Sequence, residues 1–166
     1  GSWYPGQFYA IIPREILGQR GKNIYNNYGE GMKVANVLYA TLPGKYMIYN
    51  AQDANYRERG KIEWGDKSMY PFYKSLFELH KNTPAIYKGN FHKLKTSMDE
   101  NIFAFVRESG DEKILVLTNL SGENKTVQIE SKVPKQKWEE YFTGEKTRSL
   151  KNIGLNPYGY KVYISQ

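Results

Sequence analysis

The chain has 166 residues, 40% of them apolar, no cysteine and a formal net charge of +7 at pH 7. Lacking cysteine, it can hold no disulfide and no thiolate metal site. Its 24 basic residues are scattered among 17 acidic ones without a block of like charge, which argues against a nucleic-acid partner. No apolar run approaches the ~20 residues of a membrane-spanning helix. No signal peptide is visible either, so the sequence leaves localisation open. Gly1-Ser2 without an initiating Met reads as the scar of a cleaved tag, and the chain is expected to be a piece of a longer one. Aromatic side chains stand out: 15 Tyr, 7 Phe and 3 Trp serve either a β-rich core or the apolar faces of sugars.

Taken in order, Phe8-Tyr9-Ala10-Ile11-Ile12 predicts a strand that stops at Pro13, and 18–28 is loop-like with Gly and Asn at turn positions. Met32 to Leu42 predicts a helix with Val34, Val37, Leu38 and Thr41 on its buried face. Pro43-Gly44 stops it, because Gly tolerates a left-handed conformation and Pro cannot continue a helix. Lys45–Tyr49 is then a short aromatic and branched run, read as a buried strand that ends in Asn50-Ala51-Gln52-Asp53. This strand-loop-helix-strand order is that of a βαβ unit. A polar loop carrying Trp64 follows. Ser68 is the expected N-cap of a second helix, with Pro71 in its first turn and Phe72, Leu76, Leu79 and His80 at helical spacing up to Thr83-Pro84.

From Gly89 the texture changes to short alternating runs. Strands are predicted at Phe91–Ser97, Ile102–Arg107, Lys113–Asn119, Lys125–Ser131, Trp138–Phe142 and Gly159–Ile164, separated by Gly, Asn, Asp and Ser turns. Regular spacing of this kind predicts an antiparallel sandwich. In the Trp138 run, alternation sends Trp138 and Glu140 to one face, which must then mix a large ring with a charge; Trp138 is read as core.

These parts, in this order, resemble the α-amylase family (glycoside hydrolase family 13). Leu42-Pro43-Gly44 followed by Ile48-Tyr49-Asn50-Ala51-Gln52-Asp53-Ala54 is similar to that family's Leu-Pro-Gly…Ile-Tyr-Asn-Gly-Gln-Glu segment, its last (β/α)8-barrel strand. Phe72-Tyr73-Lys74-Ser75-Leu76 through Thr83-Pro84-Ala85 resembles the final barrel helix and its exit. Ile114 to Ser121 and Leu155-Asn156-Pro157-Tyr158-Gly159-Tyr160 resemble the C-terminal sandwich. The resemblance implies an α+β fold: residues 1–88 as a terminal βαβα piece of the barrel, and 89–166 as an antiparallel β-sandwich. It also implies a parent that hydrolyses α-glucans such as starch and maltooligosaccharides, for which a secreted or cell-surface location is plausible.

The same resemblance implies that this chain alone is catalytically silent. The family's seventh-strand Asn-His-Asp motif is absent, Pro13-Arg14-Glu15-Ile16-Leu17 standing roughly in its place. A retaining hydrolase needs a nucleophilic and an acid/base carboxylate close together, and those strands would precede residue 1. A whole barrel takes ~200 residues or more, against about 88 here. No catalytic residue is therefore assigned. Glu15 stands nearest the expected third carboxylate, but its neighbours Ile16 and Leu17 point to a rearranged loop, and the pair Glu58 and Glu63 among Arg57, Arg59 and Lys61 reads as surface ion pairs.

The substrate-binding candidates are Tyr49, Asn50, Gln52, Asp53 and Trp64. Asn50, Gln52 and Asp53, at the C-terminal end of a barrel strand, would hydrogen-bond sugar hydroxyls, and Trp64 in the loop that follows would offer a ring to a sugar face; the alternative is that Gln52 and Asp53 cap a loop. No cofactor or metal motif appears. An α-glucan is the expected ligand, and a non-catalytic glucan-binding or protein-interaction module is the other reading. The strands at 8–12 and 45–49 would leave open edges, predicting self-association or pairing with a missing barrel portion.

Overall fold

The computed structural model describes residues 31–46 and 69–166. They belong to two units that divide between Thr83 and Pro84. In the first unit, α1 (Met32–Thr41) is buried around most of its circumference, Lys33 being its exposed position. Val34, Val37 and Thr41 lie on the buried side as expected, and Leu38 is half-buried. The helix stops where the sequence places the stop. Leu42 takes an extended conformation while its N–H still donates to Leu38 O (2.8 Å), and Gly44 follows at φ 134°, which a side chain would strain. The second helix, α2 (Tyr70–Asn82), carries Pro71 in its first turn and buries Tyr73, Leu76 and Leu79. Its N-cap is Met69, which makes no side-chain capping bond, and the expected cap Ser68 lies outside the described residues. Outside them too are the strand predicted at 8–12, the 53–67 loop and most of the strand predicted at 45–49. Lys45 and Tyr46 are in irregular backbone.

The second unit opens with a single turn, α3 (Pro84–Tyr87), packed on strands β2 and β3 and fixed by Ala85 N–H donating to Glu112 Oε1 (2.7 Å). Eight strands follow: β1 (Asn90–Leu94), β2 (Ile102–Ser109), β3 (Glu112–Asn119), β4 (Lys125–Val127), β5 (Trp138–Glu140), β6 (Lys146–Thr147), β7 (Ile153–Leu155) and β8 (Tyr160–Ser165). Six form one antiparallel sheet in the order β1-β2-β3-β8-β5-β6, and β4 and β7 pair as a second, smaller sheet. The predicted α+β mixture with an antiparallel sheet is therefore present.

The register explains the sequence pattern. Val106 faces Leu115, which faces Tyr163, and Ala104 faces Leu117. These residues and Trp138 pack with Val127, Ile153 and Leu155 of the small sheet to form the sandwich core. One residue out of phase, Phe105, Val116 and Val162 face one another, and with Ile114 they are fully buried on the opposite side. Burial on both faces makes Ile114-Leu115-Val116-Leu117 a continuous apolar run rather than an alternating one.

Three expectations needed correction. The strand predicted at Phe91–Ser97 ends at Leu94, and that at Lys125–Ser131 ends at Val127. Beyond these ends a Thr96↔Ile129 bridge remains, flanked by Ser97 N–H to Gln128 O and Glu130 N–H to Lys95 O (both 2.9 Å), while the Thr96 N–H and hydroxyl donate to Asp99 Oδ1 (both 2.8 Å). The Trp138 strand ends at Glu140, where the chain turns sharply. Strands β6 and β7 had no prediction: two and three residues are too short to display a period, and Gly154 interrupts the second.

Candidate functional site

The five sequence-derived binding candidates, Tyr49, Asn50, Gln52, Asp53 and Trp64, lie outside the described residues, as do Glu15, Glu58 and Glu63. The described chain does reach Tyr46, three positions before Tyr49, and here the first unit holds a buried polar cluster. Asn36 Nδ2 donates to Met32 O (2.9 Å) and to Tyr73 Oη (3.2 Å), and Tyr46 Oη approaches Asn36 Oδ1 at 3.5 Å. The Tyr46 ring rests on Phe77 (centroids 4.8 Å apart) and lies near His80, whose Nδ1 donates to Ala40 O (2.8 Å). Burial, and next the neighbouring Tyr73, push the Tyr46 phenol far above its usual pKa, so it acts as a neutral hydrogen-bonding group and not as a base. The cluster ties the two described helices of this unit to Tyr46. Sequence reasoning missed it, although an Asn in the middle of an otherwise apolar helix was the available signal.

In the second unit, the resemblance-bearing motifs around Asn119 and Asn156, far apart in sequence, meet. Asn119 is fully buried; its Nδ2 donates to Glu123 O (2.7 Å) and Asn156 O (2.9 Å), while its Oδ1 accepts from Ser121 N (3.0 Å) and Ser121 Oγ (2.7 Å). Asn119 N–H donates to Gly159 O and Tyr158 N–H to Ser121 O. Every hydrogen-bonding position of that amide is used, so Asn119 organises the loop and is not a free glycosylation acceptor despite its Asn-Leu-Ser context. Tyr158 completes the joint at φ 50°, its ring lying over Gly122.

The described acids are mostly engaged in structural work. Glu78, Glu108, Glu123, Glu130 and Glu139 pair with lysines, Asp99 caps the Thr96 turn, and Glu112 holds α3. Hydrogen bonds from Thr96 hold the Asp99 carboxyl below its usual pKa, and the bond from Lys125 does the same for Glu123. Glu140 is buried beside Trp138, and its two oxygens accept four bonds. Asp and Glu are absent from the walls of the clefts lined by Trp138 and Leu150, by Lys137 and Thr147, and by Lys125 and Tyr160. Among the described residues no group of acids and histidines could hold a metal ion, and no helix is long and apolar enough to cross a membrane.

Comparison with known proteins bears directly on this arrangement. Residues 102–160, which span β2 to the start of β8 and both joined motifs, match the family model of the alpha-amylase SusG C-terminal domain. The chain matches the C-terminal portion of an α-amylase-family protein. Its fold is shared with the noncanonic maltogenic alpha-amylase AmyB from Thermotoga neapolitana, at a TM-score of 0.71 and 14% identity over 88% of this chain and 39% of that one. An Anoxybacillus alpha-amylase aligns at a TM-score of 0.69 and 17% identity, over 82% of this chain and 32% of the other. AmyP, solved in complex with maltose, aligns at 0.65 and 13% identity, over 80% and 33%. The chain thus spans about a third of the length of these amylases. No curated protein matches it at the level of sequence.

Proposed function

We propose that the chain is the C-terminal part of an α-amylase-type glycoside hydrolase acting on α-glucans, and that it is catalytically silent by itself. On this reading residues 1–88 supply the last two strand-helix units of the barrel and 89–166 the supporting sandwich. Tyr49, Asn50, Gln52, Asp53 and Trp64 contact the glucan. The observation that carries the proposal is the family-model match over the sandwich. The shared fold with starch-class enzymes, one of them bound to maltose, adds to it. Chemistry supports silence: retaining hydrolysis needs two carboxylates about 5 Å apart on either side of the glycosidic bond, and most of the described acids are engaged with lysines, turns or α3. In this role the Asn36–Tyr46–Tyr73 cluster is a positioning device for the segment that follows it.

The test is affinity electrophoresis of the chain in gels with and without soluble starch. The expected result is retardation by starch that Trp64→Ala weakens several-fold, in line with the energetic weight of aromatic contacts. Unchanged mobility in starch would overturn the assignment of the five binding residues, and would leave the chain as scaffold.

A further inference from the structure

One cleft of the second unit, lined by residues between Ile129 and Lys151, is unlike a sugar platform. Its floor is aliphatic, made by Ile129, Val133 and Leu150, with Trp138 beneath, only 1% exposed and so unable to offer its ring face. Its rim is cationic: Lys135, Lys137, Arg148 and Lys151 line it, none makes an ion pair among the described residues, and no acid faces them from the lining. A second cleft continues this edge through Lys137, Arg148 and Lys146. The volume of the first is ≈ 660 Å³, enough for several side chains of a ligand.

Two further observations identify what fits. Gln136 lines the cleft, and its Nε2 is buried without a hydrogen-bond partner, a donor left waiting for an acceptor. The backbone of 132–136, which forms the cleft wall, makes no hydrogen bond among the described residues, although Lys137 O accepts from Gln166 N–H directly after it. A wall of unpaired backbone groups beside an apolar trough is how a folded domain receives an added peptide segment. The unopposed cations select a negatively charged one.

We propose that this cleft binds an acidic peptide segment of a partner protein, with one or two aliphatic side chains seated over Leu150 and Val133. The segment's carboxylates face Lys135, Lys137, Arg148 and Lys151, and a carbonyl accepts from Gln136 Nε2. This goes beyond the glucan reading and does not depend on it, because the cleft lies wholly within residues 129–151.

The test uses the full chain and a fluorescein-labelled peptide of alternating Glu and Leu, read by fluorescence anisotropy at low salt. Saturable binding is expected that weakens about tenfold or more in the double variant Lys135→Glu, Lys151→Glu and falls with added salt. The same peptide with Gln in place of Glu, or with Ser in place of Leu, should bind at least tenfold more weakly. Gln136→Ala should weaken binding without changing the circular dichroism spectrum. No saturable binding would overturn the proposal. So would equal binding by the charge-reversed variant, equal binding of the leucine-free peptide, or displacement of the peptide by maltooligosaccharide.

Discussion

Replacing Glu140 by alanine probes a buried polar joint of the sandwich. Its carboxylate is 2% exposed at the end of β5 and serves as the acceptor for a whole turn. Oε2 takes Phe142 N–H (3.0 Å), Thr143 N–H (2.7 Å) and Thr143 Oγ1 (2.9 Å), while Oε1 takes Val162 N–H of β8 (3.1 Å). Thr143 is exposed and its donors can turn to water when the acceptor goes. Val162 is fully buried and Phe142 half-buried, so their N–H groups cannot follow. Two stranded donors at about 1–3 kcal/mol each put the loss near 3–4 kcal/mol. Glu140→Gln keeps the volume and one acceptor and sheds the cost of burying a charge, but turns an NH₂ toward one of the donors; its loss should be about 1–2 kcal/mol. Urea unfolding followed by circular dichroism reads both. An alanine variant within about 1 kcal/mol of the parent, at unchanged m value, would refute the claim that this carboxylate holds the turn. A glutamine variant worse than alanine would refute the donor count.

Gly89→Ala should cost about 3 kcal/mol, because a Cβ there runs into the carbonyl of Ala85 and stands 2.7 Å from Glu108 O, neither of which is a flexible side-chain end. Thermal unfolding checks it, and a neutral substitution would contradict the packing of α3 on the sheet. Gly44→Ala should lose about 1–2 kcal/mol through its φ of 134° alone, measurable by the same method. Alkaline stability follows from Tyr160 and Tyr163. Burial first and then carboxylates (Glu140 for Tyr160, Glu145 and Glu140 for Tyr163) push both phenols up to about 12. The folded state therefore holds their protons more tightly than the unfolded chain does. Their contribution is complete below about pH 10 and lost as pH rises from there to about 12. Absorbance at 295 nm should show a late-ionising class that Glu140→Gln shifts earlier; ionisation of every tyrosine near pH 10 would contradict this.

The residues that announced themselves in the sequence are those whose environment is periodic. Helix α1 and helix α2, the long strands β2 and β3 and the core position of Trp138 all follow from apolar spacing, and the stop at Leu42-Pro43-Gly44 from backbone chemistry. The demand that one face carry both Trp138 and Glu140 was also legible, but its solution was not. The acceptors' partners come from the turn and from a strand twenty-two positions later, which no local window contains. Strands β6 and β7 failed for want of length. The Asn36 cluster and the Asn119–Asn156 joint depend on pairings between distant segments, which single-chain spacing does not encode. Of the candidate site, what could be read was a family resemblance and an order of parts.

The most direct measurement of the account is release of reducing ends from soluble starch by the purified chain, followed over hours against a protein-free blank. The account predicts no release above the blank, with or without Glu15→Gln. Sustained turnover that tracks the chain through purification would contradict it, since a complete pair of catalytic carboxylates would then have to reside in these 166 residues.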